Sequence, residues 1–135
     1  MRRTLVDTGP LVALMDRGDA DHDRCVTASR GIRGELVTVW PVITEASCLL
    51  ADVPDAQDML LAKVEAQDFV VADLTAADVA ILRSLMRRYR DQPMDLADAA
   101  LVRVAARDGI TEIFTLDRHF QTYRAARGRP FTVKP

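Results

Sequence analysis

The sequence predicts an α/β domain: a mostly parallel β-sheet with helices on both faces. Two patterns carry that prediction. Short β-branched or aromatic runs alternate with segments of helical periodicity along the whole chain. No Gly/Ser-rich linker or shift in composition divides it, so residues 1–135 read as a single domain. With 135 residues, 49% apolar and 28% charged, the chain is large enough to build one core.

Thr4-Leu5-Val6 is the first strand. Asp7-Thr8-Gly9-Pro10 comes next; Gly-Pro ends the strand, and Pro10 suits the first turn of a helix over residues 11–15. The acidic stretch 19–23 reads as a loop that caps a second helix, about residues 20–30, closed by Gly31 and Gly34. Residues 35–39 form the second strand. Pro41 opens a third helix over 42–50, Asp52-Val53-Pro54-Asp55 breaks it, and a fourth helix runs to about residue 66. Phe69-Val70-Val71 is the third strand. Thr75, three residues before Asp78, carries a capping signature for a long helix to about residue 90. After the break at Asp91-Gln92-Pro93, a helix over about 95–107 stops at Asp108-Gly109. Residues 112–115 and 131–133 supply the last two strands.

Several function classes are excluded. The apolar runs are short and broken by charge, so no segment spans a bilayer. The N-terminal Met1-Arg2-Arg3-Thr4 turns straight into a strand, without the apolar stretch of a signal peptide, and the expected location is the cytoplasm. Cys25 and Cys48 are expected to be reduced, buried small hydrophobes. His22 and Cys25 are spaced i, i+3, but no second pair completes a four-ligand zinc site. Trp40, just before Pro41, is expected in the core. Charge is uneven: residues 1–82 hold seven Arg or Lys against fourteen Asp or Glu, and residues 83–135 hold eleven against six. A basic C-terminal third on an acidic protein points to a polyanion-binding face or to solvated arginine-rich helices.

In a parallel sheet, ligands bind beyond the carboxyl ends of the strands. Asp7 stands after the first strand, and Asp117, in Thr115-Leu116-Asp117-Arg118, after the fourth. Two further acids lie in helices. Glu45 falls near Val42 and Leu49 on its helix, and Asp98 lies opposite Arg103 and Arg107, which mark a solvated face, so both acids are expected to point inward. Each has a local explanation, as a cap or an ion-pair partner. Jointly they suggest clustered carboxylates, which repel unless protonated or bound to a cation. The natural partner is a hard cation, Mg²⁺ or Mn²⁺, that activates water and neutralises charge on a phosphate. Thr8 and Thr115 are placed to orient ligands or phosphate. Asp95, one turn before Asp98, either joins the site or caps the helix.

These segments resemble a known family. Leu5-Val6-Asp7-Thr8-Gly9-Pro10-Leu11, Thr44-Glu45-Ala46, Leu96-Ala97-Asp98-Ala99 and Thr115-Leu116-Asp117-Arg118-His119-Phe120 look like the successive motifs of PIN domains, and within these of the VapC toxins of bacterial toxin–antitoxin pairs. The resemblance covers essentially the whole length. It implies a three-layer α/β/α sandwich on a five-stranded parallel sheet. It also implies an Mg²⁺- or Mn²⁺-dependent RNA endonuclease with Asp7, Glu45, Asp98 and Asp117 as catalytic and metal-binding acids. A homodimer and a VapB-like antitoxin that blocks the acidic pocket are implied as well.

With 5% aromatic residues there is no base-stacking platform, so RNA contact is expected from arginines: Arg83, Arg87, Arg88, Arg90, Arg103, Arg118, Arg124, Arg127 and Arg129 are candidates. His119 sits near the site or on the surface. Gly9 argues against a dehalogenase-like phosphatase, which needs an Asp there, and Lys63 and Lys134 do not fit a receiver domain. A housekeeping RNA-processing nuclease and an inactive RNA- or protein-binding module are the remaining alternatives.

Overall fold

A computed structural model describes residues 2–135; Met1, the start of the Met1-Arg2-Arg3-Thr4 segment, lies outside the described residues. The strands are β1 (Arg3–Val6), β2 (Glu35–Thr38), β3 (Phe69–Val71), β4 (Glu112–Phe114) and β5 (Thr132–Lys134). They form one sheet in the order β3-β2-β1-β4-β5, and every pairing is parallel. The helices among the described residues are α1 (Thr8–Met15), α2 (His22–Arg30), α3 (Trp40–Leu49), α4 (Pro54–Glu65), α5 (Val79–Arg88) and α6 (Leu96–Asp108). This is the predicted α/β architecture, with the sheet parallel throughout.

The strand order dictates the layers. The chain steps outward from β1 to β2 to β3, then returns past β1 to β4. Right-handed crossovers put α1 to α4 on one face and α5 and α6 on the other. In keeping with this, α1 packs on α2, α3 and α4, and α5 packs on α6. With both faces covered, central β1 buries Thr4, Leu5 and Val6 completely. None of the helices among the described residues is long and apolar enough to cross a membrane.

The elements differ from expectation in ways that have local causes. Helix α1 begins at Thr8 because Asp7 caps it through a bond from the Thr8 amide. Thr75 and Asp78 form the predicted capping box, but the first turn, Ala76–Asp78, is a 3-10 helix and α5 ends at Arg88. Of the arginines expected to mark a solvated face on α6, Arg107 is exposed, whereas Arg103 is partly buried. Arg103 Nε donates to Asp78 Oδ1 at 2.8 Å, and Arg107 lies 3.7 Å from the same carboxylate and donates to the Asp73 carbonyl. These contacts tie α5 to α6. The Asp78 carboxyl is held below its usual range by the Thr75 amide and by Arg103.

Two residues expected inside lie outside. Helix α3 turns Val42, Ile43 and Ala46 to the core, and Leu50, which caps its carboxyl end, follows them. Trp40, at its amino end, and Cys48, about 200° around from Ala46, fall off that stripe and are exposed, whereas Cys25 is buried as expected. The ring of His22 bonds to the Ala13 carbonyl at 2.6 Å, joining α2 to α1 rather than pairing with Cys25.

Candidate active site

Strands β1 and β4 are neighbours at the point where the strand order reverses, and their carboxyl ends open a crevice. The register pairs Val6 with Phe114, and the Asp7 amide extends the ladder by donating to the Phe114 carbonyl at 2.9 Å. Asp7 and Thr115 are therefore set side by side. The Thr115 hydroxyl donates to Asp7 Oδ2 at 2.7 Å, and the Thr8 amide donates to Asp7 Oδ1 at 2.8 Å, so the buried carboxylate is fixed at both oxygens. The same hydroxyl accepts from the Asp117 amide at 3.0 Å. Thr115 thus orients the acids from behind, and its hydroxyl is already engaged.

Asp98 arrives on the first turn of α6. A reciprocal capping box holds it: the Asp98 amide donates to Asp95 Oδ1 at 2.8 Å, and the Asp95 amide to Asp98 Oδ2 at 3.3 Å. Asp95 therefore caps the helix, and it also lines the crevice. Asp7, Asp98 and Asp117 each offer an oxygen, and these oxygens lie within 4.8 Å of one another.

Glu45 lines the same crevice but stands outside this trio, and it is exposed. Its expected inward direction rested on lying near Val42 and Leu49; Val42 is fully buried, but Leu49 is 64% exposed, and Glu45 falls on the exposed side of that border. That face of α3 looks toward the mouth of the crevice. Asp19 and Asp21, which the sequence marks only as loop residues, join the lining, as does His119, whose ring nitrogen Nδ1 sits 2.7 Å from Asp117 Oδ1.

The crevice encloses about 590 Å³, and no Lys or Arg lines it among the described residues. Burial pushes the Asp7 carboxyl up to about 6 against the lowering bonds from Thr115 and Thr8, with the charges of Asp117 and Glu45 adding to the rise. Burial, then the charges of Asp95 and Asp7, raises Asp98 well above the carboxylate range. An all-oxygen donor set with unbalanced negative charge suits a hard divalent cation. Thr8 lines the crevice, and its buried hydroxyl has no hydrogen-bond partner within the protein.

Of the candidate arginines, Arg103 is engaged by Asp78. Arg83, Arg87, Arg88, Arg90, Arg118, Arg124, Arg127 and Arg129 are exposed, with Arg88 lying 5.4 Å from the centre of the Tyr89 ring.

Residues 4–126 match the family model of the PIN domain. The chain is 32% identical over 138 residues to ribonuclease VapC26 of Mycobacterium tuberculosis, covering 97% of this chain and 99% of the relative. Among solved structures, it superposes on the Mycobacterium tuberculosis toxin VapC20, described as cleaving the sarcin–ricin loop, with a TM-score of 0.82 at 22% identity, covering 94% of this chain and 99% of the other.

Proposed function

Since this chain belongs to the PIN domain family and is VapC-like, we propose that it is a cytoplasmic endoribonuclease that hydrolyses RNA phosphodiesters with Mg²⁺ or Mn²⁺, acting as the toxin of a toxin–antitoxin pair. On this reading residues 1–135 work as one PIN domain. The observation that carries it is the convergence of Asp7, Asp98 and Asp117 oxygens within 4.8 Å, in a crevice lined by further acids and no Lys or Arg among the described residues.

Asp7, Asp98 and Asp117 would hold the ion, with Glu45 reaching it from the crevice mouth. A bound divalent ion lowers the pKa of a water and neutralises charge on the phosphodiester. Thr115 keeps Asp7 in one rotamer, and the capping box does the same for Asp98. Thr8, at the crevice wall, would help to orient the ion's ligands or the phosphate. The exposed arginines around α5 and the C-terminal segment offset the repulsion between RNA and the acidic crevice, which makes binding salt-sensitive.

A VapB-like antitoxin and a second copy of this chain are the expected protein partners. The likeness to the ribonuclease VapC26 supports the RNA substrate, and the likeness to the VapC20 toxin supports the toxin role. The test is RNA cleavage by the purified chain: EDTA abolishes it, Mn²⁺ or Mg²⁺ restores it, and Asp98→Asn removes it. Cleavage that persists in EDTA would overturn the metal-dependent reading.

A further inference from the structure

Asp117 is the most exposed of the three converging acids, with its side chain about one-third accessible (34%), and it caps a 3-10 turn, Arg118–Gln121, rather than a long helix. A carboxylate so placed visits several rotamers unless something fixes it. His119 does so twice. Its amide donates to Asp117 Oδ1 at 2.9 Å, and its ring nitrogen Nδ1 lies 2.7 Å from the same oxygen. Among the described residues no hydrogen bond reaches Asp117 Oδ2. One oxygen is therefore saturated and the other is left to face the crevice.

The His119 ring is itself held. It stacks on Tyr123 at 6.3 Å between centroids and 22° between planes. Tyr123 is fully buried, edge-on to Tyr89 at 5.0 Å and to Phe120 at 5.1 Å. Its hydroxyl donates to the Pro93 carbonyl at 3.3 Å, in the segment that leads into α6 and so to Asp95 and Asp98. One aromatic column thus connects the two halves of the acid cluster.

We infer that His119 is a positioning residue: clamped by Tyr123, it holds Asp117 through the Nδ1–Oδ1 bond so that Oδ2 joins Asp7 and Asp98 around the ion. This rests on the reading of the crevice as a metal site. A partner that orients a metal-binding carboxylate commonly contributes tenfold or more to metal affinity. An exposed His–Asp pair with no such role contributes little to anything.

Three substitutions in the full chain separate these cases. His119→Asn places an amide nitrogen where Nδ1 stands, His119→Gln moves it outward, and His119→Phe keeps the stacked ring without a donor. Mn²⁺ binding is measured by isothermal titration calorimetry, with kcat and KM for RNA cleavage alongside. The Gln and Phe variants are expected to bind Mn²⁺ about 10- to 100-fold more weakly and to lose kcat rather than gain KM, while Asn restores most of both. If Phe fails to fold, the contrast between Asn and Gln decides. Wild-type Mn²⁺ affinity in the Phe or Gln variant, or equal losses in all three, would overturn the inference. Asp117→Asn is measured in parallel. If it too binds Mn²⁺ like the wild type, the metal-site reading falls; if it binds weakly while Phe and Gln do not, only the role of His119 falls.

Discussion

The Thr115 hydroxyl donates to Asp7 Oδ2 at 2.7 Å across 108 positions of sequence, joining the carboxyl ends of β1 and β4 through a buried bond. Thr115→Val keeps the shape but leaves a buried carboxylate oxygen without its donor. Stability without metal should drop by about 1–3 kcal/mol, as read by urea unfolding, and Thr115→Ser should recover most of it. Unfolding midpoints equal to wild type in the Val variant would contradict this.

The raised Asp7 carboxyl makes metal-free stability depend on pH in a defined direction. The folded chain holds this proton up to about 6, whereas an ordinary Asp releases it near 3.8. Between those values the folded state binds more protons, so stability is highest at the acid end and falls as pH rises through the window, by on the order of 1–3 kcal/mol. Asp98, also raised, extends the decline to higher pH. Melting temperatures measured from pH 4 to 8 should fall in EDTA and flatten in millimolar Mn²⁺.

Asp7→Asn and Asp98→Asn should abolish RNA cleavage while leaving the metal-free fold intact or slightly more stable, because each removes repulsion from the cluster. Gel-based cleavage assays and metal-free thermal melts check the two halves separately. Wild-type cleavage by both variants would sink the assignment of these acids.

Asp78→Ala removes the acceptor that holds Arg103 and Arg107 and so loosens α5 on α6. The melting temperature should fall while the Mn²⁺ dissociation constant stays unchanged, since none of these residues lines the crevice. Calorimetry at a temperature where the variant remains folded separates the two effects.

Arg88→Ala should raise KM for RNA and reduce the slope of log affinity against log salt by about one, with Mn²⁺ affinity untouched. An unchanged salt slope would remove Arg88 from the RNA face.

Much of the site was legible because strand ends and helix phase are local properties. Asp7 and Asp117 are marked by their places just past the apolar runs of β1 and β4, and Asp98 by its position opposite Arg103 and Arg107, of which Arg107 is exposed and Arg103 is partly buried against Asp78. Glu45 shows the limit of that method. Periodicity places Glu45 between buried Val42 and exposed Leu49, at the border of the core stripe, and does not say which side it takes. Asp19 and Asp21 reach the lining through the path of a loop, which leaves no periodic trace. The bond from His119 to Asp117 spans two residues in a 3-10 turn, a spacing that helical reasoning does not bring together. Trp40 misled for a different reason: its size suggests burial, but its place at the helix start is set by Pro41.

The strand order β3-β2-β1-β4-β5 also makes the acid trio a late product of folding. Asp7 follows β1 and Asp117 follows β4, and the two meet only after β4 slots in beside β1. A polypeptide in which β4 has not docked on β1 therefore lacks the assembled trio of Asp7, Asp98 and Asp117.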